Sequence, residues 1–201
     1  MKTIGITGGV GAGKSRILSY IEENCNCRIL LADEVAHLVK EPGQPCYDRL
    51  VSLLGTDALL EDGTIDKRKM AAAIFSDSGV LTAVNAIIHP AVKTYILDEL
   101  EKERSVGALD AFFVEAALLI EEGYGQLLDE LWYIFTEKEV RRARLKANRQ
   151  YTDEKIDQIF SSQLSEEVFR SHCKVVIDNS GSLADTYMQI DEILKEAGLQ
   201  K

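Results

Sequence analysis

The run GGVGAGKS, residues 8–15, sits directly behind a short apolar stretch at residues 4–7. Glycine loses more conformational freedom on folding than any other residue, so glycines packed this densely need a backbone reason. Gly8-x-x-x-x-Gly13-Lys14-Ser15, placed after a strand and opening a helix, fits the phosphate-loop pattern. Without side chains in the way, successive peptide N–H groups converge on phosphate oxygens, and the following helix N-terminus adds a favourable dipole of order ~1 kcal/mol. Gly8, Gly9, Val10, Gly11, Ala12 and Gly13 would line the triphosphate and Lys14 would reach its β- and γ-phosphates. The Ser15 hydroxyl would ligate the accompanying Mg²⁺. At ordinary residue frequencies a chance match in a chain of this length occurs about 1% of the time. The stretch reads as a nucleoside triphosphate site.

That loop demands a strand before it and a helix after it, and the remaining pattern agrees. Residues 3–7, 28–31, 110–115, 130–135 and 174–177 read as strands, with helices predicted over 14–23, 33–40 and 183–197. Glu41-Pro42-Gly43-Gln44-Pro45 breaks the chain, and residues 46–104 are mainly helical, with an end or kink expected at Pro90. Residues 138–167 form a charged helical stretch carrying Arg141, Arg142, Arg144, Lys146 and Arg149. Apolar strands alternating with helices predict an α/β fold with a parallel sheet covered on both faces. The expected organisation is one domain over 1–201. Its core comprises about 1–45, 106–136 and 172–201, with a helical substrate lobe at about 46–105 and a lid at about 137–171.

A formal net charge of −10 argues against general binding to nucleic acid or to an anionic membrane, so a polyanionic substrate needs a local cationic pocket. Cys25-x-Cys27 is too tight for usual zinc spacing, and the four cysteines read as ordinary reduced residues. No uninterrupted apolar run of 18 residues and no secretion signal are present, which predicts a cytoplasmic protein.

A phosphate loop alone does not separate switches and motors from kinases. The Asn-Lys-x-Asp element of guanine-reading switches is missing, and the strand DAFFVE ends in a single acid, Glu115, expected near Mg²⁺. A small-molecule kinase needs an acid to orient and deprotonate the acceptor hydroxyl and mobile arginines to neutralise the transferring group. Asp33, just past the second strand, fits the first need; as a favoured residue type it could equally cap the following helix. The arginine cluster fits the second, although Arg141 and Arg142 read as a solvated helix face.

Several further stretches resemble the dephospho-CoA kinase family, nearly end to end. They are LADEVAHLVKEPGQPCYDRL (31–50), LLEDGTIDKRKMAAAIF (59–75), NAIIHPAV (85–92), VEAALLIE (114–121), YTDEKIDQIFSSQ (151–163) and VIDNSGS (176–182). The resemblance implies a phosphate-loop core with a five-stranded parallel sheet, a helical coenzyme-binding lobe and a helical lid. It also implies transfer of the ATP γ-phosphoryl to the ribose 3′-hydroxyl of dephospho-CoA, with Mg²⁺, in the last step of coenzyme A synthesis. Asp33 would then be the base, Lys14 and Arg144 would act on the phosphates, and Asn179 would border adenine. His89, Glu121 and Arg149 would join Asp33 around the acceptor, in a monomer or weak homo-oligomer.

The departures are specific. Leu31 stands where the family commonly has a second acid, Arg16 replaces the usual hydroxyl residue and would meet the ATP phosphates with its charge, and Ala117 replaces a proline. Asn148 stands where an arginine is common, leaving Arg149 as the candidate substitute. Another small-molecule or nucleoside monophosphate kinase and a non-catalytic nucleotide-binding protein are the alternative readings.

Overall fold

The computed structural model describes residues 1–201. The chain falls into two compact units, residues 1–29 together with 107–201, and residues 30–106.

The first unit is built on parallel strands. β1 (Lys2–Thr7) leads through the glycine loop into α1 (Lys14–Asn24), and β2 (Cys27–Leu31) follows at the boundary between the units. β3 (Ala111–Glu115) and β4 (Glu130–Phe135) flank β1 on its two sides, and β5 (Val175–Asp178) pairs with β4. The five-stranded order is β2-β3-β1-β4-β5. Ile4, Ile6, Phe112, Phe113, Trp132 and Ile134 are fully buried, as strands covered on both faces require. The strand boundaries lie within a residue or two of those read from the sequence.

The second unit contains α2 (Ala32–Leu38), α3 (Tyr47–Leu54), α4 (Lys67–Ser76) and α5 (Ser78–Val106). α2, α3 and α4 all pack on α5. The helix does not end at Pro90: α5 runs through it for 29 residues. Proline removes one intrahelical hydrogen bond, but Ile87, Ile88, Val92 and Ile96 are buried on both sides of it, and their packing offsets that loss. Contrary to the expectation from apolar runs, α5 does contain an 18-residue window apolar enough, by length and composition, to cross a bilayer, with mean hydropathy 1.3. Its buried positions 84, 87, 88, 92, 96 and 100 recur at helical spacing, the pattern of a core helix onto which others pack.

The charged stretch resolves into α6 (Lys138–Arg149), α7 (Asp153–Ser161) and α8 (Glu166–His172), and α9 (Leu183–Glu196) completes the first unit. Thr152, Ser165 and Ser182 cap α7, α8 and α9 through their hydroxyls. All four cysteines are free thiols.

Candidate active site

The loop between β1 and α1 is arranged by its carbonyls. The Gly8 carbonyl accepts from Lys14 Nζ at 2.9 Å, Gly9 from the Ala12 N–H at 3.1 Å, and Gly13 from the Arg16 N–H at 3.1 Å. The Val10 carbonyl accepts from Arg141 Nε at 2.9 Å. The Ala12 carbonyl accepts twice, from Asn179 Nδ2 at 2.7 Å and Thr136 Oγ1 at 3.0 Å. With these carbonyls occupied by protein donors, the loop can present N–H groups to an anion. α1 strengthens the case: its N-cap, Gly13, offers no side-chain cap, and its first turn holds no acid. An uncapped, acid-free helix start is an anion site by charge and by hydrogen-bonding capacity.

Gly13 shows why the pattern is strict. Its φ of 87° is left-handed, and a Cβ there would stand 2.5 Å from Asn179 Nδ2.

Lys14 also lies 3.3 Å from Glu115 Oε1 at the end of β3, with both side chains largely buried. Ser15 is exposed at the first turn of α1. A hydroxyl and a carboxylate at the mouth of the loop are hard oxygen donors, which suit Mg²⁺ that keeps several waters and takes further ligands from phosphates.

α6 brings two arginines to this loop. Arg144 donates from Nη2 to the Asn179 carbonyl at 2.8 Å, while its Nη1 is buried with no hydrogen-bond partner. A Cβ on Gly13 would lie 3.5 Å from that nitrogen. A buried guanidinium nitrogen without an acceptor is costly unless a ligand completes it. Arg141, read from sequence as a solvated residue, is instead packed against Gly9, donates to Gln163 Oε1 as well as to Val10, and lies 4.4 Å over the Phe160 ring. Burial lowers its pKa from the usual arginine value. Arg142 is half-buried, with 19% of its side chain exposed, and pairs with the exposed Asp153 at 2.9 Å and Asp157 at 2.5 Å.

The Asn179 side chain is buried and engaged at both ends: its amide donates to Ala12, and its oxygen accepts from Thr186 Oγ1 at 3.1 Å. Arg16 is exposed and lines an open groove of about 590 Å³ with Ser15, Ser19, Tyr20, Glu23 and Tyr187. Arg149 is exposed, 6.0 Å from the Tyr151 ring. Glu121 is exposed in the turn after β3.

In the second unit, Asp33 lies within the first turn of α2, exposed. Leu31 is the N-cap, and no side chain caps the helix, so the capping role open to Asp33 is not the one it takes. His89 is half-buried on α5. A pocket of about 320 Å³ is lined by His37, Lys40, Glu41, Asp66, Lys67 and Arg68 among others. Burial first, then the nearby Lys67 charge, lowers the Lys40 pKa; burial, Lys40 and Lys67 together lower that of His37. Cations held close enough to disfavour one another are a reservoir of attraction for an anion.

The sequence motifs gave no hint of Thr136, Gln163 or Thr186 as loop supports. Thr136 lies 124 positions from the Ala12 carbonyl it holds, and only the sheet order brings Thr136 and Asn179 to the loop; Thr186 and Gln163 act one step removed, through Asn179 and Arg141.

The profile of the dephospho-CoA kinase family matches residues 2–185. A dephospho-CoA kinase from Streptococcus mutans is 34% identical over 198 residues, covering 96% of each chain. A Thermus thermophilus crystal structure superposes with a TM-score of 0.78 at 28% identity, covering 97% of each chain. A dephospho-CoA kinase from Campylobacter jejuni superposes with a TM-score of 0.75 at 22% identity, over 98% of this chain and 97% of that one.

Proposed function

This chain belongs to the dephospho-CoA kinase family, which phosphorylates dephospho-CoA with ATP in coenzyme A synthesis, and we propose how its residues divide that work. The observation that carries the proposal is Arg144 Nη1, buried without a partner beside Gly13. The loop amides and Lys14 hold the β- and γ-phosphates. Lys14 exchanges its apo partner, the Gly8 carbonyl, for phosphate oxygen. Arg144 directs Nη1 at the transferring group, stabilising charge as it develops.

Ser15, with Glu115 nearby, would hold Mg²⁺, which supplies further neutralisation of the phosphates when bound. Asp33 orients the ribose 3′-hydroxyl of the acceptor and takes its proton. His37, Lys40, Lys67 and Arg68 form the local cationic pocket that an acidic protein needs for a polyanionic acceptor, and the diphosphate of dephospho-CoA fits that charge. His89, Glu121 and Arg149 are assigned to the acceptor side. Arg16 is assigned to the ATP phosphates. Asn179 is assigned to the adenine side, and because its side chain is spent on Ala12 and Thr186, the adenine contact falls to its backbone and its neighbours. The same reading makes the enzyme cytoplasmic, a monomer or weak homo-oligomer, with no nucleic-acid or membrane partner.

The test is ADP release from Mg·ATP with dephospho-CoA, AMP, adenosine, shikimate or no acceptor. Stimulation by dephospho-CoA alone, with coenzyme A as product, is expected. Stimulation by another acceptor would reassign the helical unit, and no stimulation despite ATP binding would sink the kinase reading for this chain.

A further inference from the structure

We propose that Arg141 is a positioning residue for the phosphate loop, one guanidinium that fixes the loop's outer rim to the lid helices so that the loop stays preorganised for ATP. Three contacts define it. Nε donates to the Val10 carbonyl at 2.9 Å, Nη2 donates to Gln163 Oε1, and the guanidinium plane covers the Phe160 ring at 4.4 Å. Val10 belongs to the loop, while Phe160 and Gln163 lie at and just beyond the end of α7. Arg141 and Arg144, three positions apart on α6, share a face. The second reaches the far end of the loop beside Gly13, and the first holds the near end at Gly9 and Val10.

The chemistry is specific to a planar fork. A Val10 peptide that turned over would aim its carbonyl oxygen into the concavity meant for phosphate oxygens and withdraw an N–H from it. The Arg141 bond holds that carbonyl outward. The fork also needs room that only glycine leaves, because a Cβ on Gly9 would overlap the Arg141 guanidinium carbon and both its terminal nitrogens. The glycine at position 9 therefore serves the arginine as well as the phosphate. A lysine would keep the charge, yet it cannot donate in two directions while lying flat on an aromatic ring.

This inference rests on the loop being the ATP site, and the experiment separates the two. Steady-state constants for both substrates and thermal melts are measured for wild type, Arg141→Ala and Arg141→Lys, the alanine variant also with added guanidinium. The expected result is a rise of about tenfold in KM for ATP in both variants, with KM for dephospho-CoA within about twofold of wild type. Millimolar guanidinium is expected to recover part of the loss in Arg141→Ala only. Gln163→Ala should raise KM for ATP less, and combined with Arg141→Ala it should add little, because the two residues share one contact.

An unchanged KM for ATP in Arg141→Ala would overturn the proposal. So would full recovery by lysine, or an equal loss for both substrates that tracks a lowered Tm without rescue, the signature of a residue that merely holds the lid together. If Arg141→Ala does not fold, Arg141→Lys and Gln163→Ala carry the same comparison. A wild-type chain without ATP binding would overturn the assignment of the loop itself, and this proposal with it.

Discussion

Arg144 leans on Asn179: its Nη2 donates to the Asn179 backbone carbonyl at 2.8 Å, while the Asn179 side chain donates to Ala12 inside the phosphate loop at 2.7 Å. One residue at the end of β5 thus sets both the loop and the arginine beside it. The geometry of the anion site depends on a strand that enters the sheet last.

Replacing Arg144 by alanine removes the unpartnered Nη1. Turnover should fall about 10²- to 10³-fold, the range for one preorganised donor at a developing charge, with ADP affinity changed little. Steady-state kinetics and calorimetric ADP titration check this; a kcat within threefold of wild type would remove Arg144 from the chemistry.

Asn179→Ala should act on stability first. It leaves the buried Ala12 carbonyl with Thr136 alone and takes an acceptor from Thr186. Neither partner is left bare, because Thr186 Oγ1 keeps the Asp178 and Ser182 carbonyls, so the loss is that of two net hydrogen bonds at about 0.5–1.5 kcal/mol each, and in a chain of this size each kcal/mol lowers Tm by about 2–4 °C. Thermal melts would show it, and an unchanged Tm would mean that the pair contributes nothing.

Asp33→Asn keeps the shape and removes the proton acceptor. kcat should drop by at least about 10²-fold with ATP affinity held within about twofold. Near-normal turnover would leave Asp33 only its place in the first turn of α2.

The His37 pKa lies below the usual imidazole value, through burial and the charges of Lys40 and Lys67. The unfolded chain then binds more protons than the folded one between the lowered value and about 6.5, so this group's contribution to stability rises with pH through that window and is lost as pH falls. An anionic acceptor in the same pocket reverses the bias, raising the His37 pKa and taking up a proton. KM for dephospho-CoA should therefore increase by about threefold from pH 6 to pH 8 and change less in His37→Gln. A flat profile in both proteins would show that the acceptor does not meet this pocket.

The loop was legible because its requirements are local. Left-handed φ at Gly11 and Gly13 and a lysine after them are written into consecutive residues. Strands were legible for the same reason, as short apolar runs between helices. Arg141 was not, because a basic helix looks the same whether a given arginine meets water or a carbonyl 131 positions away. The helix did not end at Pro90 because a local rule about hydrogen bonds was outweighed by apolar residues buried on both sides of it. Asp33 is a favoured cap by type, yet α2 starts at Ala32, two residues before the start an Asp33 cap would give, so that Leu31 takes the cap position.

β1 sits in the middle of the sheet, with Lys2 paired to Ala111 and Ile4 to Glu130. During synthesis this strand emerges before both of its neighbours and must wait for them, then for Arg141 and Asn179, before its loop is shaped. Long-range pairings of this kind close slowly. A growing polypeptide therefore has no fully shaped triphosphate site until Asn179 has been made, 167 positions after the Ala12 carbonyl it holds.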